Sequence, residues 1–229
     1  ISVATSYTDL AGNAGGTGQT ANFTIDTATP SISAVGTGAL SWGAYLNATE
    51  DNSDGTVTVT TSGVEDGQTV TIVLGGVTDT GSVSSNSATV TIAASDLDAL
   101  ADGAHTMTVN VSDAAGNAAT QVTSSSFTAD ATAPTVSSIS MNDTALKSGD
   151  TATLTIVFSE AVTAFANADL TIPNGTLTNV ATGDNITWTA TYTPTADVTD
   201  TTNVISVATS YTDLAGNAGG TGQTANFTI

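Results

Sequence analysis

The chain has 229 residues, 21 acidic side chains against a single basic one, Lys147, and a formal charge of −20. With no basic surface to neutralise phosphates, nucleic acid and anionic membranes are excluded as partners. With no cysteine, disulfides, thiolate zinc sites and cysteine nucleophiles are excluded together.

Residues 1–25, ISVATSYTDLAGNAGGTGQTANFTI, recur unchanged at residues 205–229, an offset of 204 residues. Such identity predicts a tandem array, so the chain reads as a window on a longer repetitive protein. Residues 1–25 are expected to be the last strands of a preceding repeat. Next comes Asp26-Thr27-Ala28-Thr29-Pro30, a short stiff joint, because Pro fixes φ and keeps its predecessor extended. Unit one, 26–129, then shows period-2 alternation. Val70, Ile72 and Leu74 share one face, as do His105, Met107, Val109 and Val111. Ser95–Gly103 is the one stretch predicted as helix, with Ser95 as cap and Gly103 as stop. A second joint, Asp130-Ala131-Thr132-Ala133-Pro134, opens unit two, 130–229. There Ala152, Leu154, Ile156 and Phe158 share a face, as do Ile186, Trp188, Ala190 and Tyr192. Nothing resembles a membrane span or a signal peptide.

The opposite faces are Thr-rich, the pattern of antiparallel sheets buried on one side. About seven short strands per hundred residues predict an all-β protein: tandem immunoglobulin-like β-sandwich domains in an extended rod.

Particular motifs sharpen this. In unit one they are Tyr45-Leu46-Asn47-Ala48-Thr49-Glu50, Thr61-Ser62-Gly63-Val64-Glu65-Asp66-Gly67-Gln68-Thr69-Val70, Ala94-Ser95-Asp96-Leu97 with Ala101-Asp102-Gly103, and Ser112-Asp113-Ala114-Ala115-Gly116-Asn117. In unit two they are Phe158-Ser159-Glu160-Ala161-Val162, Ala168-Asp169-Leu170-Thr171 and Thr212-Asp213-Leu214-Ala215-Gly216-Asn217. In order and spacing the chain resembles the immunoglobulin-like extender repeats of large bacterial RTX-type calcium-dependent surface adhesins. The resemblance implies secretion, an extracellular place on the bacterial surface, and a role in holding a distal binding domain away from the cell. The segment Gly36–Asp54 is longer and more acidic than such modules usually carry, and the glycine-rich nonapeptides that define RTX proteins are absent from this stretch.

Eighteen of the acids are Asp, a short side chain that favours turns and ligates Ca²⁺. In a seven-strand sandwich the F–G and B–C loops share the leading end, and the A–B and E–F loops the trailing end. Asp113 and Asn117, in an F–G loop, are expected beside the linker residue Asp26; Asp213 and Asn217 are expected beside Asp130. Glu65 and Asp66 are read as trailing-end ligands at the joint between the units, with Asp98 and Asp102 as further additions there and Glu160 as unit two's contribution. Asn47, Glu50, Asp51 and Asp54 are read as an intradomain cluster. Oxygens converging in this way make Ca²⁺ the expected ion, and Ca²⁺ at both joints is expected to turn a hinged chain into a rod. Each Asp-x-x-Gly-Asn string is also an ordinary hairpin turn.

Catalysis is not expected. His105, the sole histidine, lies in phase with core residues, and no nucleophile–His–Asp set can be assembled around it. Trp42 either covers the end of the sandwich or serves a small ligand. The competing readings are a glycan- or partner-binding module and an accessory region of a secreted polysaccharide enzyme. The expected partners are neighbouring repeats of the same chain. Residues 1–25 are expected either to pack beside unit one or to enter a head-to-tail strand swap, filling the last-hairpin slot of another molecule.

Overall fold

The computed structural model describes residues 1–229. Each complete unit is a β-sandwich with its own core: 20 buried apolar residues between Val35 and Ala129, and a separate set of 13 between Leu146 and Phe227. The alternation read from the sequence is what buries them. Val70 and Ile72 are fully buried and Leu74 nearly so, while Leu154, Ile156 and Phe158 line up in the same way in unit two.

In unit one, one sheet pairs Ser31–Ile32, Gly55–Ser62 and Ser87–Ile92. The facing sheet runs Val77–Ser82, Thr69–Leu74, Thr108–Asn110, Val122–Thr123. A further three-stranded sheet pairs Gly103–His105 with Phe127–Asp130 and Phe127–Asp130 with Tyr45–Asn47, the last pair being parallel. This last strand comes from the long segment after the first joint. It runs in the same direction as Ser31–Ile32, so the two are halves of one first strand divided between the sheets. Trp42, from the same segment, is buried edge-on against Phe127 at 5.5 Å, covering the end of the core.

The helix spans Ala94–Asp98 rather than starting after a Ser95 cap. Ser95 sits within its first turn, and the first free N–H, that of Ala94, is satisfied from a distance by Asp54 at 3.0 Å. Gly103, the expected stop, instead opens the strand Gly103–His105.

In unit two, Val136–Met141, Ala152–Phe158, Thr187–Pro194 and Gly175–Leu177 form one sheet. Leu170–Thr171, Ser206–Val207 and Gly222–Gln223 form the other. The core is more aromatic than that of unit one. Tyr211 packs between Phe158 at 4.7 Å and Phe165 at 5.7 Å. Its hydroxyl donates to the Gly220 carbonyl at 2.7 Å. The ring lies flat on Gly219, where a Cβ would fall 2.1 Å from it, so no side chain fits there.

Residues 1–25 fold as the same hairpin that ends unit two. Ser2 and Val3 pair with Gln19 and Gly18, as Ser206 and Val207 pair with Gln223 and Gly222. Tyr7 donates to the Gly16 carbonyl as Tyr211 does to Gly220. This copy forms no hydrogen bond with unit one, and its apolar side chains stand in solvent.

Candidate metal centre at the joint between the units

Three Asp-x-x-x-Asn turns share one geometry, built on Asp9, Asp113 and Asp213. In each, the Asp carboxylate accepts the backbone N–H of the Asn four residues on and, through its other oxygen, the Asn side-chain amide at 2.8 Å. The Gly before each Asn has φ near +90°, the left-handed region glycine tolerates best. The turn reading is therefore right for all three.

In the two complete units, the Asn amide also donates to the linker. Asn117 reaches the Asp26 carbonyl at 3.3 Å and Asn217 reaches the Asp130 carbonyl at 2.7 Å. Each F–G turn thus grips the strap by which its own domain is entered, and the expected pairings of Asp113 and Asn117 with Asp26, and of Asp213 and Asn217 with Asp130, are what the fold brings together. The two Asn side chains spend their N–H groups as staples, and the Oδ1 of Asn217 accepts from Ala48 N at 2.9 Å.

At the joint between the units, carboxylate oxygens of Asp130, Glu160 and Asp213 all lie within 4.8 Å of one another. Asp130 ends the strand Phe127–Asp130, Glu160 follows the strand Ala152–Phe158, and Asp213 sits in the last hairpin turn. Burial raises the Glu160 carboxyl above its ordinary range, and the charges of Asp130, Asp213 and Asp102 push it further in the same direction. Asp130 is raised likewise, first by burial and then by Asp213. Two full charges at this separation repel by about 3 kcal/mol at an intermediate dielectric, less where water screens them. The donors are all hard carboxylate oxygens, with no imidazole or thiolate, a set that suits Ca²⁺ or Mg²⁺.

Asp102 holds the linker rather than joining these three. It accepts from Ala131 N at 2.9 Å and from the Thr132 hydroxyl, and that hydroxyl is the main cause of its lowered pKa. Thr132 was not singled out in the sequence, although a hydroxyl two residues after a linker Asp is a signal of local capping.

Glu65 and Asp66 are not at this joint. Glu65 accepts from Ala114 N at 2.9 Å and so belongs to the leading end of unit one, beside Asp113 and the Asp26 linker. Asp66 accepts from Ser85 N at 2.7 Å. The cause is the first strand, split between Ser31–Ile32 and Tyr45–Asn47: counting it once, Gly55–Ser62 is the second strand of the sandwich, and residues 63–68 form a B–C loop instead of an A–B loop. Glu65 therefore occupies in unit one the place Glu160 occupies in unit two.

The 47–54 segment is not gathered round a common centre. Glu50 accepts from Asn47 N at 3.2 Å, Asp51 from the Asn52 amide at 2.9 Å, and Asp54 caps the helix. Its tip crosses the joint instead: Asn47 Nδ2 donates to the Ala215 carbonyl at 3.1 Å. The long segment that looked like an isolated loop is thus the trailing-end surface against which unit two's last turn rests.

Two sandwiches in tandem, coupled through a short acidic linker and facing turns, define a modular β-sandwich protein. Residues 130–229 match the family described as a bacterial Ig-like domain. A structure described as a 1.5-MDa bacterial ice-binding adhesin is 24% identical over 89% of this chain and 66% of its own, with a TM-score of 0.55. An adhesin described as Ca²⁺-stabilized, from an Antarctic bacterium, is 25% identical over 96% of this chain and 54% of its own, with a TM-score of 0.50. A bacterial immunoglobulin-like domain from the M. primoryensis ice-binding adhesin is 33% identical over 44% of this chain and 94% of its own, with a TM-score of 0.31. The chain thus spans less than two thirds of the length of the first two. No curated protein is similar enough to match. Residues 130–229 belong to the bacterial Ig-like domain family, and the chain as a whole is similar to a segment of an adhesin described as Ca²⁺-stabilized.

Proposed function

We propose that this chain is an extender segment of a bacterial surface adhesin, and that Ca²⁺ at the joint between its units stiffens it. The observation that carries the reading is the convergence of Asp130, Glu160 and Asp213 on one point of the interdomain joint. The relative described as a Ca²⁺-stabilized adhesin that helps its bacterium reach out and bind ice supports it. In such a protein a segment of this kind supplies reach, and repetition adds to that reach without new chemistry.

Hydrogen bonds from Asn217, Asn47 and Ala48 already set how the units meet. What they leave uncompensated is charge. Asp130, Glu160 and Asp213 would hold Ca²⁺, which supplies the positive charge that lets three carboxylates stay close and ionised. Neutralising them favours the closed joint over bent arrangements that separate the acids, so the ion tightens an existing contact.

Small-angle scattering with and without Ca²⁺, with thermal unfolding on the same samples, tests this. A longer and stiffer particle with a higher melting temperature in Ca²⁺ is expected. Identical scattering and melting in Ca²⁺ and in chelator would overturn it.

A further inference from the structure

Asn174-Gly175 is the one Asn-Gly pair in the chain, and the fold needs both residues as they are. Asn174 sits at φ +44°, in the left-handed region that Asn tolerates better than branched or bulky residues. Gly175 opens the strand Gly175–Leu177 against the ring of Tyr192, where a Cβ would fall 2.4 Å from the ring carbon Cζ. The Tyr192 hydroxyl donates to the Pro173 carbonyl at 2.8 Å and pins the ring there. The same pair is chemically labile, because a glycine nitrogen carries no neighbouring side chain to hinder its attack on the preceding side-chain amide.

The Asn174 side chain also holds unit two together. Its Nδ2 donates to Asp200 Oδ2 and to Asn203 Oδ1, both at 2.9 Å. Asn203 is fully buried, and its own Nδ2 donates to the Asp200 and Phe227 carbonyls. The Asn203 and Phe227 backbones exchange hydrogen bonds in both directions. Asn174 thus supplies the donor for a buried oxygen on the segment that seats Phe227 in the core.

We propose that Asn174-Gly175 is a deamidation site, closed while unit two is folded and opened when it unfolds, whose product refolds to a weaker domain. In the reaction Gly175 N attacks Asn174 Cγ, gives up its proton and expels Nδ2 as ammonia. Water then opens the cyclic imide at either carbonyl, leaving aspartate or isoaspartate. The fold opposes the first step. Nδ2 is held by two acceptors, and the backbone is fixed on both sides of the reacting atoms by Thr195 N on the Asn174 carbonyl at 2.8 Å and by the pairing of Gly175 with Pro194. After the reaction position 174 has no donor left. A carboxylate there faces the carboxylate of Asp200 and leaves Asn203 Oδ1 unsatisfied in the core. Isoaspartate also inserts a main-chain atom just before Gly175 must meet Tyr192. One excursion to the unfolded state is therefore recorded permanently in the covalent structure.

Peptide mapping by mass spectrometry tests the gate, with the whole chain held at mildly alkaline pH, folded in one sample and in urea in the other. Position 174 should convert at least about tenfold more slowly in the folded chain, since each tenfold corresponds to about 1.4 kcal/mol of opening. Equal rates would overturn the proposal. Chain deamidated in urea and then refolded should show unit two unfolding at lower urea than chain that was never unfolded. Asn174→Asp should lower that midpoint in the same way, and adding Asp200→Asn should recover part of the loss, because amide and carboxylate have then exchanged places. A midpoint unchanged by deamidation and by Asn174→Asp would overturn the proposal. So would a loss that Asp200→Asn fails to reduce, which would assign the effect to the backbone at position 174 and not to the bonds of its side chain.

Discussion

The side-chain amide of Asn217 donates to the backbone carbonyl of Asp130 at 2.7 Å, while its Oδ1 accepts from Ala48 N at 2.9 Å. One side chain thus touches its own turn, the linker and the preceding unit. Asn217→Ala breaks all three contacts, two of them to backbone groups that need partners. Each such bond is worth roughly 0.5–1.5 kcal/mol net, so a loss of about 2–3 kcal/mol is expected in urea unfolding of unit two. Asn13→Ala, in the identical but solvent-exposed hairpin, should change that transition by less than about 0.5 kcal/mol. Equal losses at the two positions would show that the linker and interdomain bonds contribute nothing.

Glu160→Gln should act in opposite directions with and without Ca²⁺. In chelator it removes one of three mutually repelling charges and raises the melting temperature. In Ca²⁺ it removes a ligand and shrinks the ion-induced rise. For a single site held at about a hundredfold excess over Kd that rise corresponds to about 2.7 kcal/mol. A variant that melts like the parent under both conditions would exclude Glu160 from the site.

The strands were legible because burial on one face imposes a period of two: Val70, Ile72 and Leu74, or Leu154, Ile156 and Phe158, can face the core in no other register. The linkers and the turns built on Asp113 and Asp213 were legible because Pro, Gly and Asn carry backbone constraints of their own. What misled was Ser31–Ile32, too short to show a period, followed by Tyr45–Asn47, a strand of three residues within an irregular segment. Overlooking one reversal places Glu65 and Asp66 at the wrong end of unit one. The placement of Glu160 escaped this error because unit two begins with a six-residue strand, Val136–Met141. Cross-joint contacts such as that of Asn47 with Ala215 depend on how two domains meet, which no local pattern encodes.

Asp79 supplies a pH prediction away from the joint. It lies on the strand Val77–Ser82, which pairs on one side only, and its Oδ2 is buried without a partner. Burial first, and then the charge of Asp96, raises its pKa. A carboxyl raised in the folded state favours protonation there, so its ionisation costs stability at neutral pH and the cost vanishes below the ordinary carboxylate range. Asp79→Asn should therefore raise the melting temperature of unit one at pH 7, with the gain fading as pH falls towards 4. A charged residue on an edge strand also discourages edge-to-edge pairing, so the variant should be more stable yet more prone to associate on concentration. A gain that does not vary with pH would assign the effect to packing instead of charge.

Trp42 separates a covering role from a ligand-binding one. Its ring is 6% exposed and packed on Phe127, and its indole N–H is buried without an acceptor. Trp42→Phe keeps the contact and removes the unsatisfied donor. The lost ring volume and the relieved N–H are of similar size, so the net change should stay within about 1 kcal/mol. Trp42→Ala opens a cavity at the end of the core and should cost about 3–5 kcal/mol in urea unfolding. If Trp42→Ala proves nearly neutral, the indole is not part of the core, and glycan-array binding by the parent chain, lost in that variant, would identify it as a recognition residue.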